Sequence, residues 1–382
     1  MLSVVDDSDS LLGELAEVPP APEGLLELVT LVPDPRKLRG KRHALPGVLA
    51  VALAAVIAGA TSFVAIAEWA ADAPPQVLAR LSITGRVPSE STIRRCLQKL
   101  TPDGLDKLFG AWMWLRTSVI SGRRVICFDG KTLRGAKDAA GNPVHLLAGL
   151  CQYSGTVLAQ IAVGAKTNEI PMLRTLLDTV DITGAVITAD ALHCQRQTAE
   201  AIVNCGGDYI LTVKANQPTL HKQLKALPWK QIPVCDRSTE HGHGRATKRV
   251  LKACEVAAGI GFPHAVQVLQ LTRTATDRKT KRKHTEVVYA LTSLKITDAT
   301  PKQIAGWLRG HWSIENQLHW VRDVTYGEDH SQIRVEGGPQ VMATLRNTAI
   351  GLLRLDGHTN IAKALRHNAR NPHRPLKLLL TS

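Results

Sequence analysis

Three carboxylate side chains stand in sequence settings that suit a metal-dependent nuclease. Asp129 ends the apolar run Val-Ile-Cys-Phe, Asp190 ends the run Val-Ile-Thr-Ala, and Glu315 lies in His-Trp-Ser-Ile-Glu-Asn. The two runs predict buried strands, and a strand end holds an acid rigidly at the edge of a sheet. Hard oxygen ligands bind Mg²⁺ or Mn²⁺, and two such ions about 4 Å apart would assist hydrolysis of a phosphodiester. The sequence therefore predicts phosphodiester chemistry at a site for two divalent ions.

A helix should carry the third acid to that edge. It begins at Thr300-Pro-Lys-Gln, which matches a capping box with proline at the first helical position, and is predicted to run to about Val321. Spacings of four, four and three residues place four polar side chains on one face of this helix. They are His311, Glu315, His319 and Arg322. We expect the histidines and the arginine to contact phosphate, and Glu328 and Asp329 are rivals to Glu315 as the third acid.

The elements that would position these acids are those of an α/β sheet. Turn signals and short runs of Val, Ile and Leu predict three strands and then an alternation of helices and strands. The predicted strands are 124–129, 145–152, 157–163, 185–190 and 208–214, and the helices between them are 170–180 and 195–204. The order βββαβαβ is typical of a ribonuclease H-like core, in which the first and fourth strands are neighbours.

A basic segment separates the second acid from the third. Residues 219–300 contain fifteen Lys and Arg against six Asp and Glu, and predict strands at 249–256, 264–272 and 285–292. The turn 277–284 is strongly basic, and we expect it to contact phosphate. A merely solvated run of charge is the alternative.

The whole chain of 382 residues carries a net charge of +14, although residues 1–35 carry −8, so the remainder carries +22. The economical explanation is a polyanionic partner, with DNA or RNA ahead of a membrane, and a basic protein without a nucleic-acid role is the alternative. Seven cysteines without a Cys-x-x-Cys pair indicate reduced thiols, and no signal peptide is visible. We therefore expect a cytoplasmic, nucleoid-associated protein.

Helices are predicted before the sheet, at 46–58, 62–71, 75–82 and 89–100. The apolar stretch 47–70 is long enough for a membrane span, but its alanines and the Gly59-Ala-Thr-Ser62 interruption favour two buried helices. The helix at 89–100 has a basic face that suits DNA, as in a helix-turn-helix, or is an ordinary amphipathic helix.

Several longer motifs together resemble the ISAs1-family transposases, which include the H-repeat-associated proteins and are related to the IS4 group. The motifs are Phe128-Asp-Gly-Lys-Thr-Leu-Arg134, Lys166-Thr-Asn-Glu-Ile-Pro171, Thr188-Ala-Asp-Ala-Leu-His-Cys-Gln195, Asp208-Tyr-Ile-Leu-Thr-Val-Lys-Ala-Asn-Gln217 and Gly310-His-Trp-Ser-Ile-Glu-Asn-Gln-Leu-His-Trp320. The likeness extends from the Asp34-Pro-Arg36 region to about residue 355. It implies a ribonuclease H-like core with a β-rich insertion, an N-terminal helical domain, and a catalytic Asp-Asp-Glu triad on Asp129, Asp190 and Glu315.

The resemblance also divides the chain. It implies an acidic lead (1–35), a DNA-binding helical domain (36–118), a catalytic core (119–218 with 301–355), a basic insertion (219–300) and a basic C-terminal helix and tail (356–382). The wider IS4 group has a Tyr, Arg, Glu and Lys signature, and this sequence keeps only the Glu at those offsets. Further roles are expected at two sets of residues: support of the acids or DNA contact at Lys131, His193, Lys214 and Asn216, and DNA contact at Arg245, Lys248 and Arg249. A metal site at His241 and His243 lacks further ligands.

The resulting hypothesis is a DNA transposase of an insertion sequence that uses two Mg²⁺ or Mn²⁺ ions. Its partners would be the terminal inverted repeats, target DNA and a second copy of the chain in a synaptic complex, with neither a membrane nor a nucleotide cofactor. A structure-specific nuclease or resolvase, and a non-catalytic DNA-binding relic of a transposon, are the alternatives.

Overall fold

A computed structural model describes residues 24–37, 39, 41–117, 122–137, 141–242 and 244–381. The strands are β1 (Val125–Lys137), β2 (Pro143–Cys151), β3 (Val157–Val163), β4 (Val186–Ala189), β5 (Asp208–Val213), β6 (Val234–Gly242), β7 (Arg245–Glu255), β8 (Gln267–Asp277) and β9 (Lys283–Thr292). The helices before β4 are α1 (Leu25–Leu28), α2 (Leu45–Ile57), α3 (Phe63–Asp72), α4 (Pro75–Arg80), α5 (Glu90–Gln98), α6 (Pro102–Arg116) and α7 (Glu169–Leu177). Those after it are α8 (Arg196–Asn204), α9 (Pro218–Ala226), α10 (Pro301–Gly310), α11 (Gly338–Leu355), α12 (Ile361–Ala369) and α13 (His373–Thr381).

All nine strands form one sheet, in the order β3-β2-β1-β4-β5-β9-β8-β7-β6. β1 pairs in parallel with β4, and β4 in parallel with β5, while β2 and β3 form an antiparallel meander on the other side of β1. This arrangement confirms the predicted α/β class with a ribonuclease H-like core. Helices cover both faces: α6 and α11 contact β3, α8 contacts β5, and α10 contacts β6 and β7.

The basic insertion is part of the same sheet. β9 pairs antiparallel with β5, so the core sheet continues through β8 and β7 to β6. The sequence predicted three strands here and missed β6, whose mostly exposed, polar residues lack the apolar alternation that marks a strand with one buried face. Asp277 accepts hydrogen bonds from the N–H groups of Lys279 and Thr280, and this fixes the turn between β8 and β9.

β1 is longer than predicted. It continues eight residues beyond Asp129, because β2 pairs with it as far as Lys137. The parallel pairing with β4, in contrast, ends at Phe128 and Ala189. The sequence predicted that Asp129 ends a strand. In the structure Asp129 lies within β1, directly after the last residue of β1 that is paired with β4.

The apolar stretch 47–70 forms two helices, α2 and α3, with a turn at Gly59 between them. Twelve of the thirteen residues of α2 are buried, which explains its continuous apolar sequence. Among the residues that the structure describes, no helix is long and apolar enough to cross a membrane. Within the acidic lead, α1 is followed by a 3₁₀ turn at Val29–Leu31, whereas the part of the lead before residue 24 lies outside the described residues.

The helix after the insertion has an unusual continuation. α10 begins with the predicted capping box at Thr300, and the chain then continues as two π-helical segments, Glu315–His319 and Val321–Thr325. A π-helical ring contains one residue more than an α-helical ring, so side-chain spacings taken from an α-helix no longer predict which residues share a face.

A candidate metal centre on the sheet

Alternation along β1 and β4 turns Asp129 and Asp190 toward the face that α10 covers. Val125 and Val186 are register partners, and they belong to one apolar cluster with Ile304 and Trp307 of α10. Since side chains alternate between the faces of a strand, the fourth residue after each valine should point to the same side. Those residues are Asp129 and Asp190.

Hydrogen bonds hold the chain after α10 against these strands. His311 Nδ1 lies 3.3 Å from Thr188 Oγ1 on β4, and Ser313 Oγ lies 3.5 Å from Cys127 Sγ on β1. Because Thr188 and Cys127 each precede an aspartate by two residues, these contacts carry the next turn of the helix to the acids. The next turn contains Glu315.

Ligand atoms of Asp129, Glu315 and His319 all lie within 4.8 Å of one another. His319 Nδ1 is 3.2 Å from Glu315 Oε2 and 3.6 Å from Asp129 Oδ2. The structure thus brings together two of the three predicted acids, and it adds a histidine that the sequence suggested only as a phosphate contact.

The pKa values of Asp129 and Glu315 are shifted in opposite directions. Burial raises the pKa of Asp129 to about 6, and the neighbouring carboxylates of Asp190 and Glu169 act in the same direction against the opposing effect of His319. The hydrogen bond from His319 lowers the pKa of the more exposed Glu315. Since Asp129 lies among other carboxylates, a bound cation would relieve their repulsion.

Asp190 lies beside the group of three and is not a member of it. Its Oδ1 accepts hydrogen bonds from the backbone N–H groups of Leu192, at 2.9 Å, and His193, at 3.4 Å, and so caps the turn Ala191–His193. This capping leaves the Oδ2 atom of Asp190 for another partner.

The sequence did not single out Glu169, which lies beside Asp129. Its Oε1 is 2.8 Å from His145 Nε2, and its Oε2 is 3.2 Å from His193 Nε2. The carboxyl group also packs so closely on Gly130 that a Cβ atom there would overlap it. Although burial opposes ionisation, the hydrogen bonds from the two histidines lower the pKa of Glu169 to about 2. Its only signal in the sequence was its place in the motif Lys166–Pro171.

Two of the side chains that the sequence suggested as DNA contacts, Arg322 and His193, are fully buried in this structure. Arg322 pairs with Glu328 at 2.7 Å, and its place in the π-helical segment turns it into the core and away from the predicted polar face. His193 is enclosed against Glu169. Neither side chain is exposed on the surface that this structure presents.

The other predicted contacts around the acids are of two kinds, side chains that are largely enclosed and side chains that are exposed. Lys131 is only 7% exposed, and its ammonium lies 2.5 Å from Asp323. Burial lowers the pKa of His311 to about 4, so this ring is a neutral hydrogen-bonding group and not a cation. Lys214 and Asn216 are exposed, and the Asn216 amide donates to the carbonyl of Ala191, next to Asp190.

The predicted contacts in the insertion lie elsewhere. Arg245, Lys248 and Arg249 are on β7, five strands from β1, which corresponds to on the order of 24 Å across the sheet. Arg245 and Lys248 are exposed, while Arg249 pairs with Glu240 at 2.8 Å. His243 lies outside the described residues.

Ion pairs with Lys or Arg distinguish the two rivals from Glu315. Glu328 is buried, and its two oxygens accept hydrogen bonds from Arg322 and Arg346, each at 2.7 Å. Asp329 lies 3.5 Å from Arg134 and 3.9 Å from Lys131. Both rivals are therefore occupied by cations, and Glu315 alone of the three belongs to the group with Asp129.

The donor set fits a divalent ion. Carboxylate oxygens of Asp129 and Glu315 are ligands that Mg²⁺ and Mn²⁺ prefer, and a histidine nitrogen suits the softer of these ions. His319 Nε2, the ring nitrogen that faces away from the two acids, is buried and has no hydrogen-bond partner among the described residues. The contacts of this ring are thus concentrated on its Nδ1 side.

Comparisons with known proteins identify the family of this chain. The family described as DDE_Tnp_1-associated matches residues 26–113, and the family described as Transposase DDE domain matches residues 120–352.

The chain is 29% identical to "Putative transposase YncI" of Escherichia coli O157:H7, over 87% of each chain. It is also 29% identical to "H repeat-associated putative transposase YhhI" of Escherichia coli K12, over 87% of this chain and 90% of the relative. A piggyBac transposase synaptic complex with hairpin DNA matches at 11% identity with a TM-score of 0.39, over 93% of this chain and 77% of that chain, a likeness too weak to support a conclusion. The match over most of the core and the named relatives confirm the resemblance to the H-repeat-associated proteins, and the chain belongs to the Transposase DDE domain family.

Proposed function

We propose that this protein excises and inserts an insertion sequence by cutting DNA at the element's ends and joining the freed ends to target DNA. Asp129, Asp190 and Glu315 are the catalytic acids in this proposal. The convergence of Asp129, Glu315 and His319 within 4.8 Å, with Asp190 directly after the neighbouring strand β4, is the observation that carries it.

The three acids would hold two Mg²⁺ or Mn²⁺ ions. When bound, such ions activate the attacking oxygen and stabilise the leaving oxygen of a phosphodiester. Asp129 belongs to one group with Glu315, and Asp129 and Asp190 each directly follow the last paired residues of β1 and β4. Asp129 is therefore the residue best placed to contact both ions.

Neighbouring side chains would keep these acids in place. The hydrogen bond from His319 orients Glu315, the backbone N–H groups after Asp190 orient its carboxylate, and Glu169 packs against the residue that follows Asp129. A carboxylate that is held on several sides moves little when metal ions and DNA bind. This preserves the geometry that an in-line displacement needs.

The DNA would lie along the face that carries the acids and extend to the insertion. Lys214 and Asn216 follow β5, the strand next to β4, and Asn216 donates to the carbonyl of Ala191 beside Asp190. The exposed Arg245 lies farther along the same sheet, on the face that Leu251 shares with α10. We propose that water first hydrolyses the phosphodiester at the element's end and that the released 3′-hydroxyl then attacks the target. Synapsis of two ends requires two copies of the chain, so we propose a homodimer on DNA.

A cleavage and joining assay tests this function. Purified protein is mixed with Mn²⁺, a labelled duplex that carries one end of its own insertion sequence with flanking DNA, and a supercoiled plasmid. We expect a nick at the end of the element and labelled joined products, and Glu315→Gln should reduce both by about 10³-fold or more. Glu200→Gln, an exposed acid on α8, is the matched control and should behave like the wild type.

Each result has a distinct meaning. Cleavage without joining would replace the transposase proposal with that of a nuclease or resolvase. Absence of both activities in the wild-type protein, at every divalent ion tested, would indicate a DNA-binding relic.

A further inference from the structure

The two aspartates of the candidate site lie where the pairing of their strands ends. β1 and β4 are paired in parallel as far as Phe128 and Ala189, and Asp129 and Asp190 are the next residues. Beyond this point β1 continues beside β2, while the chain after β4 enters the turn Ala191–His193. The pairing of β1 with β4 therefore stops short of the two carboxylates, and contacts between side chains can set the distance between them.

One side chain, Glu169, connects the two strands beyond that point. Its Oε2 lies 3.2 Å from Nε2 of His193, in the turn after β4, and its Oε1 lies 2.8 Å from Nε2 of His145 on β2. His145 is the register partner of Thr132 on β1, and its Nδ1 lies 2.8 Å from the Thr132 hydroxyl. A continuous series of hydrogen bonds thus runs from β1 through Glu169 to the turn that follows Asp190.

This series passes close to both aspartates. The Glu169 carboxyl group packs on Gly130, the residue after Asp129, where an added Cβ atom would overlap it. At the other end, the backbone N–H of His193 donates to Asp190 Oδ1 at 3.4 Å. The His193 ring is fully buried, and its Nδ1 has no hydrogen-bond partner within the described part of the chain. The contact of its Nε2 with Glu169 is therefore the one that orients this ring.

The helix α7 gives Glu169 a fixed support. Glu169 is the first residue of this helix, and the N-cap residue Asn168 accepts a hydrogen bond from the backbone N–H of Ile170 at 3.0 Å. Such a cap stabilises the first turn of a helix. Three leucines of α7 are buried, and the helix contacts β2, β3 and α8. The carboxyl group therefore projects from a packed helix and not from a loop.

We propose that Glu169 is a positioning residue for the proposed cleavage reaction. It ties the turn after β4 to β1 and so sets the distance between Asp129 and Asp190, which determines how tightly these two acids bind a divalent ion. Groups that orient metal ligands from behind commonly change metal affinity or activity by about 10–100-fold when they are removed. The proposal rests on the proposed function, because it assumes that the two aspartates share an ion.

Binding of Mn²⁺ without DNA tests this proposal in the full-length protein. Free Mn²⁺ is measured by its electron paramagnetic resonance signal during a titration. Glu169→Ala removes both hydrogen bonds and should weaken Mn²⁺ binding by about 10–100-fold. Glu200→Ala removes an exposed acid of α8 and should bind Mn²⁺ like the wild type, which controls for the change in net charge. Wild-type Mn²⁺ affinity in Glu169→Ala would overturn the proposal.

The conservative variant separates geometry from charge. Glu169→Gln keeps the length of the side chain and can still form hydrogen bonds to both histidines, because His193 can carry its proton on Nδ1 and accept from the amide at Nε2. We therefore expect Glu169→Gln to recover most of the Mn²⁺ affinity that Glu169→Ala loses. An affinity as low as that of Glu169→Ala would overturn the proposal, since the negative charge and not the connection between the strands would then matter.

The dependence of nicking on Mn²⁺ concentration supplies a second measurement. For Glu169→Ala we expect the Mn²⁺ concentration that gives the half-maximal rate to rise by about 10–100-fold. The affinity for an element-end duplex, measured without divalent ions, should remain that of the wild type. A parallel loss of duplex affinity would contradict the positioning role, because it would indicate general damage to the fold.

A second variant covers the case in which Glu169→Ala does not fold. His193→Phe removes one end of the connection and keeps an aromatic ring in the buried position. It should also weaken Mn²⁺ binding and leave duplex affinity unchanged. Wild-type Mn²⁺ affinity in His193→Phe would overturn the proposal.

Failure of this proposal is distinguishable from failure of the proposed function. A wild-type protein that binds Mn²⁺ but neither cuts nor joins DNA, and whose Glu169→Ala variant loses Mn²⁺ affinity, would refute the transposase and leave the positioning role. A protein that cuts and joins DNA, and whose Glu169→Ala variant binds and uses Mn²⁺ normally, would refute the positioning role alone.

Discussion

At the scale of single residues, the close approach of Glu169 to Gly130 fixes one side of the candidate site. We predict that Gly130→Ala destabilises the fold by about 1–3 kcal/mol, because the added methyl group overlaps the Glu169 carboxyl group. In a Glu169→Ala background the same substitution should cost at least about 0.5 kcal/mol less, since the overlapping group is gone. Urea denaturation of the four proteins measures this coupling, and costs that simply add would show that the two residues do not collide.

Asp106 is a second residue whose setting has a measurable consequence. It is buried among Gln160, Gln340 and Thr344, and burial raises its pKa from 3.8 to about 7, although hydrogen bonds from all three residues act in the opposite direction. Between these pH values the folded protein holds a proton that the unfolded chain has released. Its contribution to stability therefore falls as pH rises from about 4 to about 7, by up to roughly 1.4 kcal/mol per pH unit, and is constant above that.

We predict that Asp106→Asn removes this component of the pH dependence. The measurement is the free energy of unfolding in urea at several pH values between 4.5 and 8, for the variant and the wild type. Parallel pH profiles for the two proteins would mean that folding does not raise the pKa of Asp106.

The cases of Asp129 and Glu169 show what sequence can predict about single residues. Asp129 follows an apolar run and lies in a long motif, so the sequence identified it as a candidate catalytic acid. The setting of Glu169 depends on His145 from β2 and His193 from the turn after β4, which only the folded chain brings together. A contact between three distant segments leaves no periodic signal in the sequence.

At the scale of elements, the continuation of α10 decides which side chains face the site and which enter the core. The sequence predicted the start of this helix from its capping box, but not its π-helical segments, since these depend on packing against the sheet. Glu315 and His319 remain on the site, whereas Arg322 turns to Glu328 in the core. A local pattern could not distinguish these two outcomes.

Glu328 links this element to α11 and to the N-terminal helices. It joins Arg322 and Arg346, and Arg346 also donates to the carbonyl of Thr61 at 3.0 Å. We predict that Glu328→Gln destabilises the protein by about 3–5 kcal/mol, because it leaves two buried guanidinium groups without a counter-charge. Thermal or urea unfolding measures the loss.

The adjacent Asp329 supplies the control for that prediction. Asp329→Asn removes longer ion pairs at a more exposed position and should cost no more than about 1 kcal/mol. Equal losses from the two substitutions would contradict the structural role assigned to Glu328.

Two exposed tryptophans lie on either side of Glu315 on the same element. Trp312 is 62% and Trp320 is 54% exposed, and aromatic rings at such positions can stack on DNA bases. We predict that Trp312→Ala and Trp320→Ala each weaken binding of an element-end duplex with a single-stranded overhang by about 1–3 kcal/mol, while the fold is almost unaffected. Leu115→Ala, an equally exposed apolar side chain on α6, is the control. Unchanged affinity in both tryptophan variants would remove these rings from the DNA-binding surface.

At the scale of the whole molecule, the continuous sheet joins the acids to the basic insertion. The sequence predicted the order of the core strands, because each is an apolar run between turn signals. It did not predict that β9 pairs with β5, since strand neighbours far apart in sequence are chosen by packing and not by local pattern. This pairing makes the insertion a rigid extension of the core, and DNA bound along it would keep a fixed position relative to Asp190 and Glu315.

The central claim is that Asp129, Asp190 and Glu315 act as one catalytic unit in DNA cleavage. Its most direct test is the rate of Mn²⁺-dependent nicking at the element's end for Asp129→Asn, Asp190→Asn, Glu315→Gln and their three pairwise combinations. We predict that each single substitution lowers the rate by about 10³-fold or more and that the double variants lose little further, because residues that act as a unit are strongly non-additive. A near wild-type rate in any single variant, or losses that multiply in the double variants, would contradict the account.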